Sequence, residues 1–223
     1  MLGLSETTLT TIYVIAGNLV LTGFTLETFR RGGASNSLRS ALAAFLLGLQ
    51  GLLFWRLNGD GLFPSDISSI SFCLFLFGWV GLLCLLVSFI KPIREIMLKL
   101  SLESLLLPQG LRMFFGAGFL IEGVLGQLPK GFSIVDGIFH ILSAFLALKS
   151  GLLYAQRKDN LGEVWFANLF GLTDIVIVAL GIPFALIAKV GPNHNMMYAA
   201  FFAAPIFVVF HFMSIWKLAR ERK

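Results

Sequence analysis

Seven ionisable side chains stand in or beside long apolar stretches of this chain: Glu27, Arg112, Glu122, Asp136, His140, Asp174 and His211. In a membrane-spanning segment such groups are costly, and they mark ion, proton or ligand paths. Glu27 lies three residues before Arg30, and Arg112 lies near the start of its apolar stretch. Both read mainly as interfacial, with Arg112 also placed to hold an inner carboxylate. The other five lie deeper. Asp136 and His140 are four apart and share one helix face, where a carboxylate orients an imidazole and raises its proton affinity. Glu122 has Gly118 and Gly126 one turn to either side, which lets a neighbouring helix come close. Asp174 sits in a seam of Ala167, Gly171, Val178 and Gly181, and His211 in a line with Ala200, Ala204, Phe207 and Ser214.

From the helical rise, Glu122, Asp136 and His140 fall within roughly 6–12 Å of one set of helix ends, Asp174 near mid-span and His211 in the opposite half. This staggered order is what a proton relay or a buried binding path requires, with Arg112 as an accessory. The competing reading is that each polar group only bonds a neighbouring helix, worth about 0.6 kcal/mol. That reading suits Asn18, Gln50, Gln127 and Asn168, and it competes for His211. Another alternative makes Asp136, His140 and His211 ligands of a transition metal or a haem iron; no cofactor is specified. His194, beside Pro192, reads as a solvated loop residue.

Other chemistries fail on the residues. There is no phosphate loop, HExxH or GxSxG, and no nucleophile–base pair at defined spacing, so an enzyme is not indicated. A retinal protein would need a lysine deep in the last span, which has only Lys217 at its end. Cys73 and Cys84 are about 16 Å apart along one helix, too far for a disulfide.

The elements that must position these groups are spanning helices. Hydrophobic residues make up 57% of the 223 residues and charged ones 13%, about half the charged share of a soluble domain. This excludes a soluble globule, a disordered chain, a nucleic-acid module and a disulfide scaffold. The composition predicts an all-α, seven-transmembrane-helix bundle forming a single integral membrane domain over 1–223. Its spans run approximately 8–28, 37–56, 67–90, 110–128, 132–154, 164–187 and 196–217, each about 20 residues. Between them stand turn and charge signals such as Arg31-Gly32-Gly33, Asn58-Gly59-Asp60-Gly61 and Arg157-Lys158-Asp159-Asn160. The stretch Pro92–Leu107 has Ile93, Ile96, Met97 and Leu100 at helical spacing. It reads either as a helix lying on the membrane surface or as a continuation of the third span.

The 17 basic residues divide 14 to 3 between the two sides. Arg30, Arg31, Arg39, Lys91, Arg94, Lys99, Arg112, Lys149, Arg157, Lys158, Lys217, Arg220, Arg222 and Lys223 fall on one; Arg56, Lys130 and Lys189 on the other. The cation-rich side is cytoplasmic by the positive-inside rule, which places the N-terminus outside and the C-terminus inside. Tyr13, Trp55 and Tyr198 fall at outer ends and Tyr154, Trp165 and Trp216 at inner ends, as interfacial rings do; Trp79, inside the third span, is the exception. Met1–Thr11 carries no basic residue ahead of its apolar run and reads as a retained first helix. The net charge of +5 is accounted for by loop ends beside anionic lipid, without nucleic acid. The partners expected are the bilayer and a small solute or ion.

From Gln109 onward the chain resembles a family of small uncharacterised bacterial polytopic membrane proteins. The resemblance rests on Gly110-Leu-Arg112, Gly126-Gln-Leu-Pro129 with Phe132, Asn168-Leu-Phe-Gly-Leu-Thr-Asp174, Ala179-Leu-Gly181, and Pro205 with His211. It implies a multi-pass protein of a bacterial cytoplasmic membrane and supplies no activity. That pattern has Gly-Asp where this chain has Phe139-His140, and Asp136 and Glu122 also depart from it. Arg112, Asp174 and His211 are thereby implied as the shared residues. Transport or ion/proton translocation is the leading expectation, a metal- or haem-binding protein the alternative, and a non-catalytic accessory subunit the third.

Overall fold

The computed structural model describes residues 5–157 and 160–221. The first residues of the Met1–Thr11 stretch, Lys158, Asp159, Arg222 and Lys223 lie outside that range. Among the described residues the chain is helical without strands, and seven helical segments are long and apolar enough to cross a membrane.

The helices are α1 (Glu6–Arg31), α2 (Asn36–Asn58), α3 (Ser69–Phe89), α4 (Lys91–Lys99), α5 (Leu102–Leu106), α6 (Arg112–Val124), α7 (Lys130–Gln156), α8 (Leu161–Gly181), α9 (Ile187–Val190) and α10 (Ala204–Glu221). A 3₁₀ turn, Leu107–Leu111, joins α5 to α6, so that the fourth apolar segment runs from Leu102 to Val124. Serine side chains cap the N-termini of α1, α2, α3 and α5, each accepting a backbone N–H that has no partner within the helix.

Two wide π turns, Ile182–Leu186 and Ala199–Ala203, mark the sixth and seventh segments, each beside a proline. Pro205 has no N–H to give the carbonyl four residues back, that of Phe201. The indole N–H of Trp79 donates to this carbonyl at 3.0 Å, which explains an indole in the middle of a span. Next to the other π turn, the Ser69 hydroxyl donates to the Pro183 carbonyl at 2.6 Å.

The stretch Pro92–Leu107 is neither a continuation of α3 nor one helix. The chain breaks at Ile90 and again at Leu100, and Ile96, Met97 and Leu100 pack with Phe29, Phe210 and Met213. Lys217 fastens this corner by donating to the carbonyls of Leu98, at 3.2 Å, and Leu100, at 2.6 Å. At the other end of the bundle Asn193 staples two loops. It accepts from the N–H groups of Leu62 and Phe63 and donates to the Phe63 carbonyl. Large apolar side chains such as Phe89, Leu74 and Val124 remain exposed on the perimeter, while Arg112, Asp136, His140, Asp174 and His211 of α6, α7, α8 and α10 are turned inward.

Candidate functional site

Arg112 is wholly buried, not interfacial. Because the fourth segment begins at Leu102 and not near residue 110, the arginine lies about ten residues, roughly 15 Å, inside it. Its guanidinium pairs with Asp174 and donates to the Gly171 carbonyl at 2.9 Å. The same Asp174 oxygen accepts from the Ser143 hydroxyl at 3.0 Å and lies 3.3 Å from Nδ1 of His140. Asp136 stands 4.0 Å from the same imidazole nitrogen. On the other side, Nη1 of Arg112 lies 3.4 Å from Nε2 of His211. Nδ1 of His211 faces the Asn168 oxygen at 3.0 Å, and Asn168 donates to Ser214 and to the Val164 carbonyl. Asp136, His140, Asp174, Arg112 and His211 thus form one continuous buried chain drawn from four helices.

Small residues permit this. A Cβ on Gly171 would come within 2.6 Å of the His211 ring and 3.0 Å of Arg112. A Cβ on Gly116 would meet the Gly137 carbonyl at 2.6 Å and His140 Cβ at 3.0 Å, so α6 and α7 touch through backbone beside the site. Gly118, one turn from Glu122, is tight against Tyr13, whereas Gly126 (φ +73°) faces open space and serves the turn after α6.

Glu122 is buried but stands elsewhere. Among the described residues, no hydrogen bond or ion pair joins it to Asp136 or His140. It faces Asn195, which donates to Thr10 at 2.7 Å, and Thr10 in turn donates to Gln127 at 2.8 Å. Glu27 is tied to Arg30 and Arg31, as its spacing suggests. His194 is not freely solvated. It is partly buried, its Nδ1 accepts from the Met196 N–H at 3.2 Å, and burial pushes its pKa down to about 4. Tyr198 is buried against the protein, and its hydroxyl accepts from Asn58, at the end of α2, at 2.6 Å.

Two features of this chemistry matter. Arg112 supplies one permanent positive charge against the two carboxylates of Asp136 and Asp174. With both acids ionised and the imidazoles neutral, the group is short of one positive charge, which a proton or a cation supplies. Asp136, His140 and Asp174 can also present one donor atom each, all within 4.8 Å of one another. Asp174, not His211, completes that trio. Both nitrogens of His211 are engaged by Arg112 and Asn168, leaving neither for an iron. Ser143 and the serine–asparagine support of His211 had no signal in the sequence beyond ordinary span residues.

Residues 69–219 match the family described as a domain of unknown function, DUF8737. The chain belongs to this family. The DUF8737 region begins at α3 and contains every residue of the buried chain from Arg112 to His211, while α1 and α2 precede it. No curated protein and no solved structure matches this chain.

Proposed function

We propose that this is a multi-pass protein of a bacterial cytoplasmic membrane, N-terminus outside, that translocates protons or a small cation through the Asp136–His140–Asp174–Arg112–His211 chain. The observation carrying this reading is the charge count inside a bundle whose perimeter is apolar. Two buried acids face one fixed cation, with an imidazole between the acids to hold or pass the missing positive charge. Groups that exchange protons near neutrality, in contact through a bundle, suit relays. The asymmetry of basic residues supports the orientation. The test is proton flux into proteoliposomes reported by a pH-sensitive dye. Asp174→Asn and His140→Ala are expected to abolish flux while elution volume and helical content stay normal; unchanged flux in both rejects the reading.

A second reading, a resident divalent metal, is favoured by the Asp136/His140/Asp174 trio. The guanidinium bound to Asp174 opposes it, because a divalent cation would sit beside a fixed positive charge. Metal content of the purified protein, with and without His140→Ala, separates the two.

A further inference from the structure

The relay uses only the side of His140 that faces the carboxylates. The same ring lines a cavity of about 210 Å³ between α3, α6, α8 and the start of α10, walled by residues including Leu76, Phe115, Phe119, Ile175 and Phe207. His140 is its one ionisable lining residue; the rest are hydrocarbon and a methionine. Phe119 meets the imidazole edge-on, with centroids 5.4 Å apart, and holds its plane. With Nδ1 turned to Asp174 and Asp136, the opposite ring edge, which carries Nε2, is left for the cavity. Its outer wall includes Phe77 and Val176, both exposed on the apolar perimeter, so a solute dissolved among lipid tails has access.

The chemistry of an occupant follows. A 150 Å³ apolar cavity takes benzene, so this one has room for a substituted ring. A wall without counter-charges excludes ions. The tautomer of a histidine is set by the partner of its other nitrogen. Two carboxylates beside Nδ1 favour the proton there, which leaves Nε2 as an acceptor that a ligand O–H would satisfy. We propose that the cavity binds an uncharged, membrane-dissolved aromatic alcohol, of the phenol or quinol class, whose hydroxyl donates to Nε2 of His140. This goes beyond the translocation reading, and it is scored without any pH gradient.

The probe is 4-pentylphenol, titrated calorimetrically into phosphatidylcholine nanodiscs holding the protein, with empty nanodiscs as blank. 4-Pentylanisole, its methyl ether, has the same ring but no donor. One saturable site per chain is expected, with the ether about tenfold weaker, the scale of one net hydrogen bond. His140→Phe should bring the phenol down to the level of the ether. Ala204→Phe, which places a ring in the cavity, should remove saturable binding of both; Val176→Trp fills it from the other side should the first variant misfold. Equal affinity of phenol and ether, or saturable binding that survives filling, overturns the proposal and leaves a cavity for lipid tails alone.

Discussion

Gly171 is the position where one methyl group should do most damage. The Cβ of an alanine there would lie 2.6 Å from both Cε1 and Nε2 of His211 and 3.0 Å from Nη1 of Arg112. Neither neighbour can yield freely. His211 is held by Asn168 at 3.0 Å, Asn168 by Ser214 at 2.9 Å, and Arg112 by Asp174. Overpacking of this kind costs about 1–3 kcal/mol. Displacing the guanidinium also lengthens its 2.9 Å bond to the Gly171 carbonyl, a charged hydrogen bond worth about 1.5–3 kcal/mol. The helix-propensity gain of alanine over glycine returns at most about 1 kcal/mol. The net loss is then about 1.5–5 kcal/mol, a fall in Tm of roughly 3–20 °C at this chain length. Gly48→Ala is the matched control, a helical glycine with nothing within 4 Å of its added Cβ, and its Tm should hold or rise slightly. The assay is thermal unfolding of both variants in one detergent, followed by helical signal. Equal melting of Gly171→Ala and Gly48→Ala would refute the packing argument, and with it the continuity of the chain from Arg112 to His211.

Removing one partner of the buried pair should cost about 3–5 kcal/mol, so Arg112→Leu and Asp174→Leu are each expected to be strongly destabilised. Because the atoms touch, the double variant should be less destabilised than the sum, with a coupling of about 1–3 kcal/mol measured by denaturant unfolding; strict additivity would contradict the pairing. His194 supplies the pH prediction. Its pKa falls from 6.5 to about 4 on folding, so the unfolded chain binds more protons in that window. Stability is therefore full above about pH 6.5 and is lost as pH falls towards 4. His194→Asn should flatten the slope in melting curves taken from pH 7 to 4, and an unchanged slope would contradict the burial of that ring.

What could be read from the sequence divides along physical lines. The seven apolar segments are legible because length and hydropathy are local properties, and the structure has seven such helices. Their ends are less so. The fourth span, expected from about 110, in fact starts eight residues earlier, with Pro108 in the 3₁₀ turn that links α5 to α6, where its ring fits a first turn. That single boundary, placed near residue 110 and not at Leu102, is what made Arg112 look interfacial. The sixth segment, expected over 164–187, passes Pro183 through a π turn and continues to Val190. Facing relations are harder still. The spacing of Asp136 and His140 along one helix is visible, whereas Asp174, His140 and Ser143 meeting at one oxygen depends on how α7 and α8 rotate against each other. Glu122 shares the depth expected of Asp136 and His140 but points toward Thr10, Gln127 and Asn195, because depth along a helix says nothing of azimuth. Asn168 bonds the neighbouring helix as its type suggests, through Ser214 and His211, but that one of its partners is the imidazole could not be read from spacing.

The distribution of bonds across the bundle separates scaffold from chemistry. Asn18 and Gln50 of α1 and α2 reach only backbone carbonyls, those of Tyr198 and Ile15. Such bonds fix a helix in place and carry no charge. In α6, α7, α8 and α10 the buried partners include side chains that carry or exchange charge, Arg112, Asp174, Asp136 and His140, and the backbone is held close around them by Gly116, Gly137 and Gly171. A buried arginine with no function would be replaced at little cost by a well-packed apolar residue, since ion pairs of this kind seldom add net stability. Burying two acids against one cation is costlier still unless one acid holds a proton. All of these residues lie within the DUF8737 region, and under the translocation proposal the compensating positive charge is the one that moves.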